Sequence, residues 1–282
     1  MPDLFAPSPS DEPTRPAALR PEQEPLAERL RPKALADVIG QDHLTGPHGA
    51  IGRMVAAEKL SSMILWGPPG TGKTSIARLL ADAVGMRYVS ISAVFSGVAD
   101  LRKAFAEAES MASLGRRTLL FVDEIHRFNR AQQDGFLPYV ERGTVTLVGA
   151  TTENPSFALN AALLSRAQVL ILHRLDATAL TRLLARVEEE TGVPLPLTPA
   201  AREALVASAD GDGRFLINQA ETLLDPPARM AQLARAERLL LDDAVILPYG
   251  FGSDRALVGA AVGGWQANAQ GIHLSRYMSL AR

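Results

Sequence analysis

Residues Gly67-Pro68-Pro69-Gly70-Thr71-Gly72-Lys73-Thr74 fit the pattern G-x-x-x-x-G-K-[ST] without a mismatch. Each residue type in it has a physical use. The glycines let successive backbone N–H groups turn inward around phosphate oxygens. A following helix N-terminus adds partial positive charge. Lys73 has the reach to meet β- and γ-phosphates, and the Thr74 hydroxyl can ligate Mg²⁺. A second chemical pair, Asp123-Glu124, follows the apolar run Thr118 to Val122. Splitting a phosphoanhydride needs positioning, charge neutralisation and an oriented water more than covalent help. Asp123 suits a second Mg²⁺-holding group, acting through water. Glu124 suits the carboxylate that polarises the attacking water.

These residues are useful only if the fold brings them together, and the flanking patterns say how. Met63 to Trp66 reads as a buried strand entering the glycine loop. Ile76, Leu79, Leu80 and Ala83 give helical spacing beyond it, ending at Gly85. Arg87 to Ile91, Thr118 to Val122, Thr144 to Val148 and Val169 to Leu172 read as four further strands. Helices are expected between them, over about Val98 to Met111, Asn129 to Val140 and Ala161 to Leu164. Wholly apolar short strands require a sheet covered on both faces. Strands alternating with helices predict a doubly wound parallel sheet, with ligands at the strands' carboxyl ends. Ahead of the sheet, a short helix is expected within Ala50 to Leu60. After His173 the pattern is helical only. Asp176, Thr198 and Asp212 are candidate caps for three helices, and a fourth is expected over Ala228 to Leu241.

The resulting divisions are a proline-rich, disordered tail at 1–24, an α/β domain at 25–173, a helical lid at 174–243 and an unassigned segment at 244–282. Of the 282 residues, 47% are hydrophobic and 21% charged, and the net charge is −2. That balance gives no global attraction to nucleic acid, so such binding must come from a local patch or an assembly. The absence of cysteine excludes disulfides and thiolate metal sites. No apolar run reaches membrane-spanning length and no signal pattern opens the chain, so a soluble, cytoplasmic protein with no membrane partner is expected. His43 and His48 lack metal-ligand spacing and read as loop residues. His126 reads as a structural or relay residue, since Glu124 already fills the water-activating role.

GPPGTGKT, FVDEIHRFN, VGATTENPSF and ALLSRAQV, in this order, resemble the AAA+ ATPases of the clamp-loader clade over roughly Pro25 to Leu224. The resemblance implies a P-loop NTPase fold: a parallel five-stranded sheet with helices on both faces, then a small all-helical lid. It implies ATP and Mg²⁺ as cofactors. Nucleotide is expected on Gly67, Pro68, Pro69, Gly70, Thr71, Gly72, Lys73, Thr74 and Ser75, with Ile39 in the segment Arg31 to Gln41 around adenine. The metal falls to Thr74 and Asp123, and catalysis to Glu124 with Lys73. Thr152 stands at the sensor-1 position. Arg166, in LLSRA, matches an arginine that reaches a neighbouring subunit's site, with alanine where the family has cysteine. Arg214, in GDGRF, matches the lid's sensor-2 arginine, and Ser92 a polar switch for the catalytic glutamate.

The implied activity is ATP hydrolysis coupled to work on DNA in replication-fork maintenance, recombination and repair. Implied partners are forked, gapped or single-stranded DNA, further copies of the chain, and single-strand-binding or replisome proteins, near the nucleoid. Relatives continue into a helical collar that holds the oligomer, which the segment after about Pro226 does not match. A nucleotide-binding module without turnover is therefore the alternative. A Holliday-junction branch-migration motor ranks below both, because it needs a hairpin before sensor 1 and a winged-helix domain.

Overall fold

The computed structural model describes residues 24–242 and the short segments 262–263 and 279–280. The stretch expected to be a disordered tail, except Glu24, and most of 244–282 lie outside the described residues. Before the sheet come α1 (Leu26–Arg29), a 3-10 turn (Leu35–Asp37), α2 (Asp42–Thr45) and α3 (Ala50–Ala56). The α/β run is β1 (Met63–Trp66), α4 (Lys73–Ala83), β2 (Arg87–Ser92), α5 (Val98–Ser113), β3 (Thr118–Asp123) and a 3-10 turn (Ile125–Arg127). It continues through α6 (Arg130–Asp134), α7 (Leu137–Glu141), β4 (Val145–Thr151), α8 (Pro155–Ala158), α9 (Ala161–Leu164) and β5 (Gln168–Ile171). Helices α10 (Ala177–Thr191), α11 (Pro199–Ser208), α12 (Gly213–Leu224) and α13 (Pro226–Asp242) follow.

The five strands are parallel in the order β2-β3-β4-β1-β5. Alternation along β3 shows why its run is wholly apolar. Leu119 and Phe121 join one core, with Ile76, Ala77 and Leu80 of α4 and Ile51 of α3. Leu120 and Val122 join the other, with Leu101, Phe105 and Ala108 of α5. Neither face meets water along Leu119 to Val122, so these four side chains must be apolar. The fold is the five-stranded P-loop NTPase sheet with helices on both faces that the sequence predicts.

Three local expectations need correction. The helix expected over Asn129 to Val140 is two helices, α6 and α7, separated at Gly135-Phe136. Phe136 is fully buried and meets the Phe105 ring edge-on at 5.5 Å, so tertiary packing breaks the periodic run. Ala83 is exposed, and Val84 fills its expected place in the core. His43 lies in α2 rather than a loop, stacked on His173 with ring centroids 4.2 Å apart.

The caps form as their residue types suggest. Asp176 accepts from Ala179 N at 2.7 Å, Thr198 from Ala201 N at 3.2 Å, and Asp212 from Phe215 N at 2.9 Å. Gly192 ends α10 in the left-handed conformation, at φ 67°. Compact units divide the chain at Ala220/Glu221. The second contains α13, opened by Pro226 at its first turn, and an antiparallel pair of two-residue strands, β6 (Val262–Gly263) and β7 (Ser279–Leu280).

Candidate functional site

The glycine loop joins the carboxyl end of β1 to α4. Gly70 and Gly72 take φ of +68° and +94°, which L side chains rarely adopt. A Cβ at Gly72 would meet nothing within 4 Å, so the space over the N-terminus of α4 is open. No side chain caps that terminus and no acidic residue lies in its first turn. The unpaired N–H groups there remain available to an anion. A Cβ at Gly70 would come 1.8 Å from Asp212 Oδ1, and Gly213 N donates to Gly70 O at 3.3 Å. The loop thus fits against the start of α12 only because residue 70 lacks a side chain.

Lys73 is buried, and its ammonium donates to Gly67 O at 2.8 Å and Pro68 O at 2.7 Å. Three donors on the ammonium leave one uncommitted among the described residues. Burial pushes the Lys73 pKa down from its ordinary value, and the carboxylates of Glu124, Asp123 and Asp212 oppose that shift. A cation held in a loop of this shape, facing an open helix N-terminus, fits a polyphosphate.

Asp123 closes β3, and Glu124 follows in the left-handed region at φ 51°, ψ 46°. Bulky residues rarely adopt that backbone, and such strain gathers where a side chain must be aimed. A cleft of about 240 Å³ collects these groups: Pro69 to Ser75, Asp123, Glu124, Thr152 and Arg214 all line it. Val38 and Ile39 line it from the N-terminal segment, and Leu175, Leu183 and Ile217 from the helical region. Gly67 and Pro68 do not line it. They act behind Lys73, and Gly67 N donates to Thr151 O at 3.2 Å. Thr74 and Asp123 supply one hydroxyl and one carboxylate, which suits Mg²⁺ that keeps waters and phosphate oxygens as its other ligands. No cluster of three or more His, Cys, Asp or Glu among the described residues offers an all-protein metal cage.

Arg166 is the expected site residue that the structure keeps apart. It is absent from the cleft lining. Its Nε donates to Glu141 Oε1 at 2.5 Å, and Nη1 to Ala162 O at 2.9 Å. Ser92 pairs with Asp123 in the strand register, and no hydrogen bond joins its side chain to Glu124 among the described residues.

Sequence reasoning did not single out two other residues, one lining the cleft and one behind it. Leu183 belongs to the apolar stripe of α10, but that stripe alone does not show that one of its members faces a cleft. Gln41 is fully buried and clamps His173, two residues beyond β5, with Nε2 donating to His173 O at 2.8 Å and Oε1 accepting from His173 N at 3.1 Å. Its signal was its place at the end of the segment Arg31 to Gln41 expected around adenine.

Comparison with known proteins agrees with this geometry. Residues 63–175 match the model of the ATPase family associated with various cellular activities (AAA). The chain is 46% identical over 227 residues to replication-associated recombination protein A of Coxiella burnetii, covering 79% of this chain and 50% of that protein. It is 46% identical over 207 residues to the Escherichia coli K12 protein of that name, covering 72% of this chain and 46% of the relative. It is 42% identical over 198 residues to the ATPase WRNIP1 of Dictyostelium discoideum, covering 69% of this chain and 23% of that protein. The chain thus spans half or less of the length of these relatives. Among solved structures it resembles RuvB of Thermotoga maritima, a Holliday junction branch migration motor, with TM-score 0.57 and 28% identity over 68% of this chain and 64% of that one. The glycine loop and the acids at the end of β3 fall within the stretch that matches the AAA family model, in a chain that resembles replication-associated recombination protein A.

Proposed function

We propose that this chain binds ATP with Mg²⁺, hydrolyses it, and uses the cycle to act on DNA during replication-associated recombination and repair. One observation carries the reading: the ends of β1, β3 and β4 and the start of α12 bring Lys73, Thr74, Asp123, Glu124, Thr152 and Arg214 to one cleft. Loop N–H groups and Lys73 hold the β- and γ-phosphates. Thr74 and Asp123 hold Mg²⁺, which when bound neutralises the phosphate charge. Glu124 takes a proton from water as its oxygen attacks the γ-phosphorus and the bridging P–O bond breaks. Thr152 orients the water, Arg214 reaches the γ-phosphate from the lid, and Ile39 packs on adenine. In this reading 25–173 is the ATPase domain and 174–243 the lid.

Arg166 completes the site of a neighbouring copy. Its place outside its own cleft supports that assignment. The DNA role rests on the relatives' names, and forked, gapped or single-stranded DNA, with single-strand-binding or replisome proteins, are the partners it suggests. That role places the protein in the cytoplasm near the nucleoid. No described helix is long and apolar enough to cross a membrane.

Solution mass with ATP, measured alongside turnover, tests the proposal. ATPase per subunit rises with protein concentration and with forked or single-stranded DNA. A monomer that binds ATP but never turns it over would leave only a nucleotide-binding module.

A further inference from the structure

His126 sits two residues beyond Glu124, in the turn that leaves β3. Its side chain is only 4% exposed, yet both ring nitrogens face oxygen. Nδ1 lies 3.0 Å from Thr151 Oγ1 and 3.3 Å from Glu124 Oε2. Nε2 lies 3.3 Å from Glu153 Oε1. The Thr151 hydroxyl in turn accepts from Glu153 N at 3.0 Å and lies 3.2 Å from Glu153 O. Thr151 is fully buried, ends β4 and immediately precedes Thr152.

These contacts join two segments that the backbone leaves separate. Glu124 has its main chain fixed by the left-handed turn and by the buried Ile125 beside it. Neither constraint sets the rotation of its carboxylate. The imidazole does reach that carboxylate, and it has polar atoms on opposite edges of a rigid ring. One edge faces Glu124 and Thr151 and the other Glu153. A histidine buried only for packing would be satisfied by Thr151 alone and indifferent to Glu124. Ser92, the expected polar switch for this glutamate, pairs with Asp123 in the strand register, and no hydrogen bond joins it to Glu124 among the described residues.

We propose that His126 is a positioning residue that ties the Glu124 carboxylate to the segment Thr151-Thr152-Glu153, so that the group activating the water and the group orienting it keep a fixed separation. The proposal rests on the ATPase reading above. A shift of about 1 Å in a reacting group can cost about 100-fold in rate. Loss of the tie therefore lowers kcat while leaving nucleotide affinity, which depends on the glycine loop, in place.

The test compares His126→Ala and His126→Asn with wild type for kcat, KM, ATP affinity and melting temperature. His126→Ala lowers kcat by about 10- to 100-fold at unchanged affinity. His126→Asn, which keeps a donor near the Nδ1 position, recovers part of the loss. In a Glu124→Gln background, His126→Ala has no further effect on turnover. A second arm needs no turnover: ¹⁵N imidazole signals of the five histidines are recorded for wild type and Glu124→Gln. The His126 signal, assigned by its loss in His126→Asn, moves when Glu124 is changed. A folded His126→Ala protein with wild-type kcat overturns the proposal, as does a ring signal indifferent to Glu124→Gln. A wild-type chain with no turnover whose ring signal does move leaves the tie standing and contradicts the ATPase reading instead.

Discussion

Lys73 is held away from water with two donors given to the loop carbonyls before any phosphate arrives. The loop therefore holds its cation in place, so the proposed phosphate binding needs little reordering of Lys73. Lys73→Ala removes a charge-assisted hydrogen bond and weakens ATP binding by about 10- to 100-fold. In the proposed mechanism Glu124 differs in kind, because it meets the water and not the phosphates. Glu124→Gln keeps ATP affinity and lowers kcat by about 10²- to 10⁴-fold, the usual worth of a positioned base. Equilibrium binding and single-turnover hydrolysis on the same samples separate the two. The glycine-loop pattern and the acidic pair made these two residues legible without a structure. Thr151 was not legible. It stands beside the expected sensor Thr152, and only the fold shows that one threonine is buried on His126 while the other lines the cleft.

Elements place these residues through close packing between β1, β4 and the turn after β3. Gly149 in β4 is the narrow point, since a Cβ there would come 2.8 Å from Ile64 Cδ1 and 3.0 Å from Ile125 Cδ1. Ile125 is adjacent to Glu124, so Gly149→Ala disturbs both the core and the aim of the base. Overpacking of this kind costs about 1–3 kcal/mol. Melting temperature and kcat should fall together, by about 3 °C per kcal/mol lost for the first. In the helical region Glu188 of α10 pairs with Arg202 of α11 and accepts from Leu195 N at 2.8 Å. Hydrogen bonding from Arg202 holds its carboxyl below the ordinary value of 4.5, with burial opposing. A depressed carboxyl stabilises the fold above its unfolded pKa and loses that contribution as pH falls through the folded one. Glu188→Gln therefore lowers stability by about 1 kcal/mol at neutral pH, a modest figure because both side chains are partly exposed. In urea titrations the gap from wild type closes as the pH drops below 4.5. The positions of β1 and β3 were readable because burial on both faces forces unbroken apolar runs. The break between α6 and α7 was not, because Phe136 keeps helical spacing while its ring is claimed by Phe105 across the core.

On the scale of the whole molecule, the cleft gathers the expected nucleotide-facing groups except Gly67 and Pro68, which lie behind Lys73, and Arg166. Arg166 is tied to Glu141 in its own subunit and does not line its own cleft. Where an arginine acts in trans it is worth about 10³- to 10⁵-fold in rate, so under the proposed role of Arg166 assembly decides activity. The proposed role comes from the LLSRA motif and not from its spacing to the glycine loop, since a residue serving a neighbour has no fixed distance to its own site. The most direct test mixes two inactive proteins. Arg166→Ala keeps its own Glu124 but offers no arginine, while Glu124→Gln keeps Arg166 but lacks the base. Each alone should turn over ATP at background. Mixed at equal concentration, they should regain a substantial part of wild-type turnover, because Glu124→Gln subunits supply Arg166 to intact bases next door. An Arg166→Ala protein as active as wild type, or a mixture that stays at background while wild type turns over, would contradict the account.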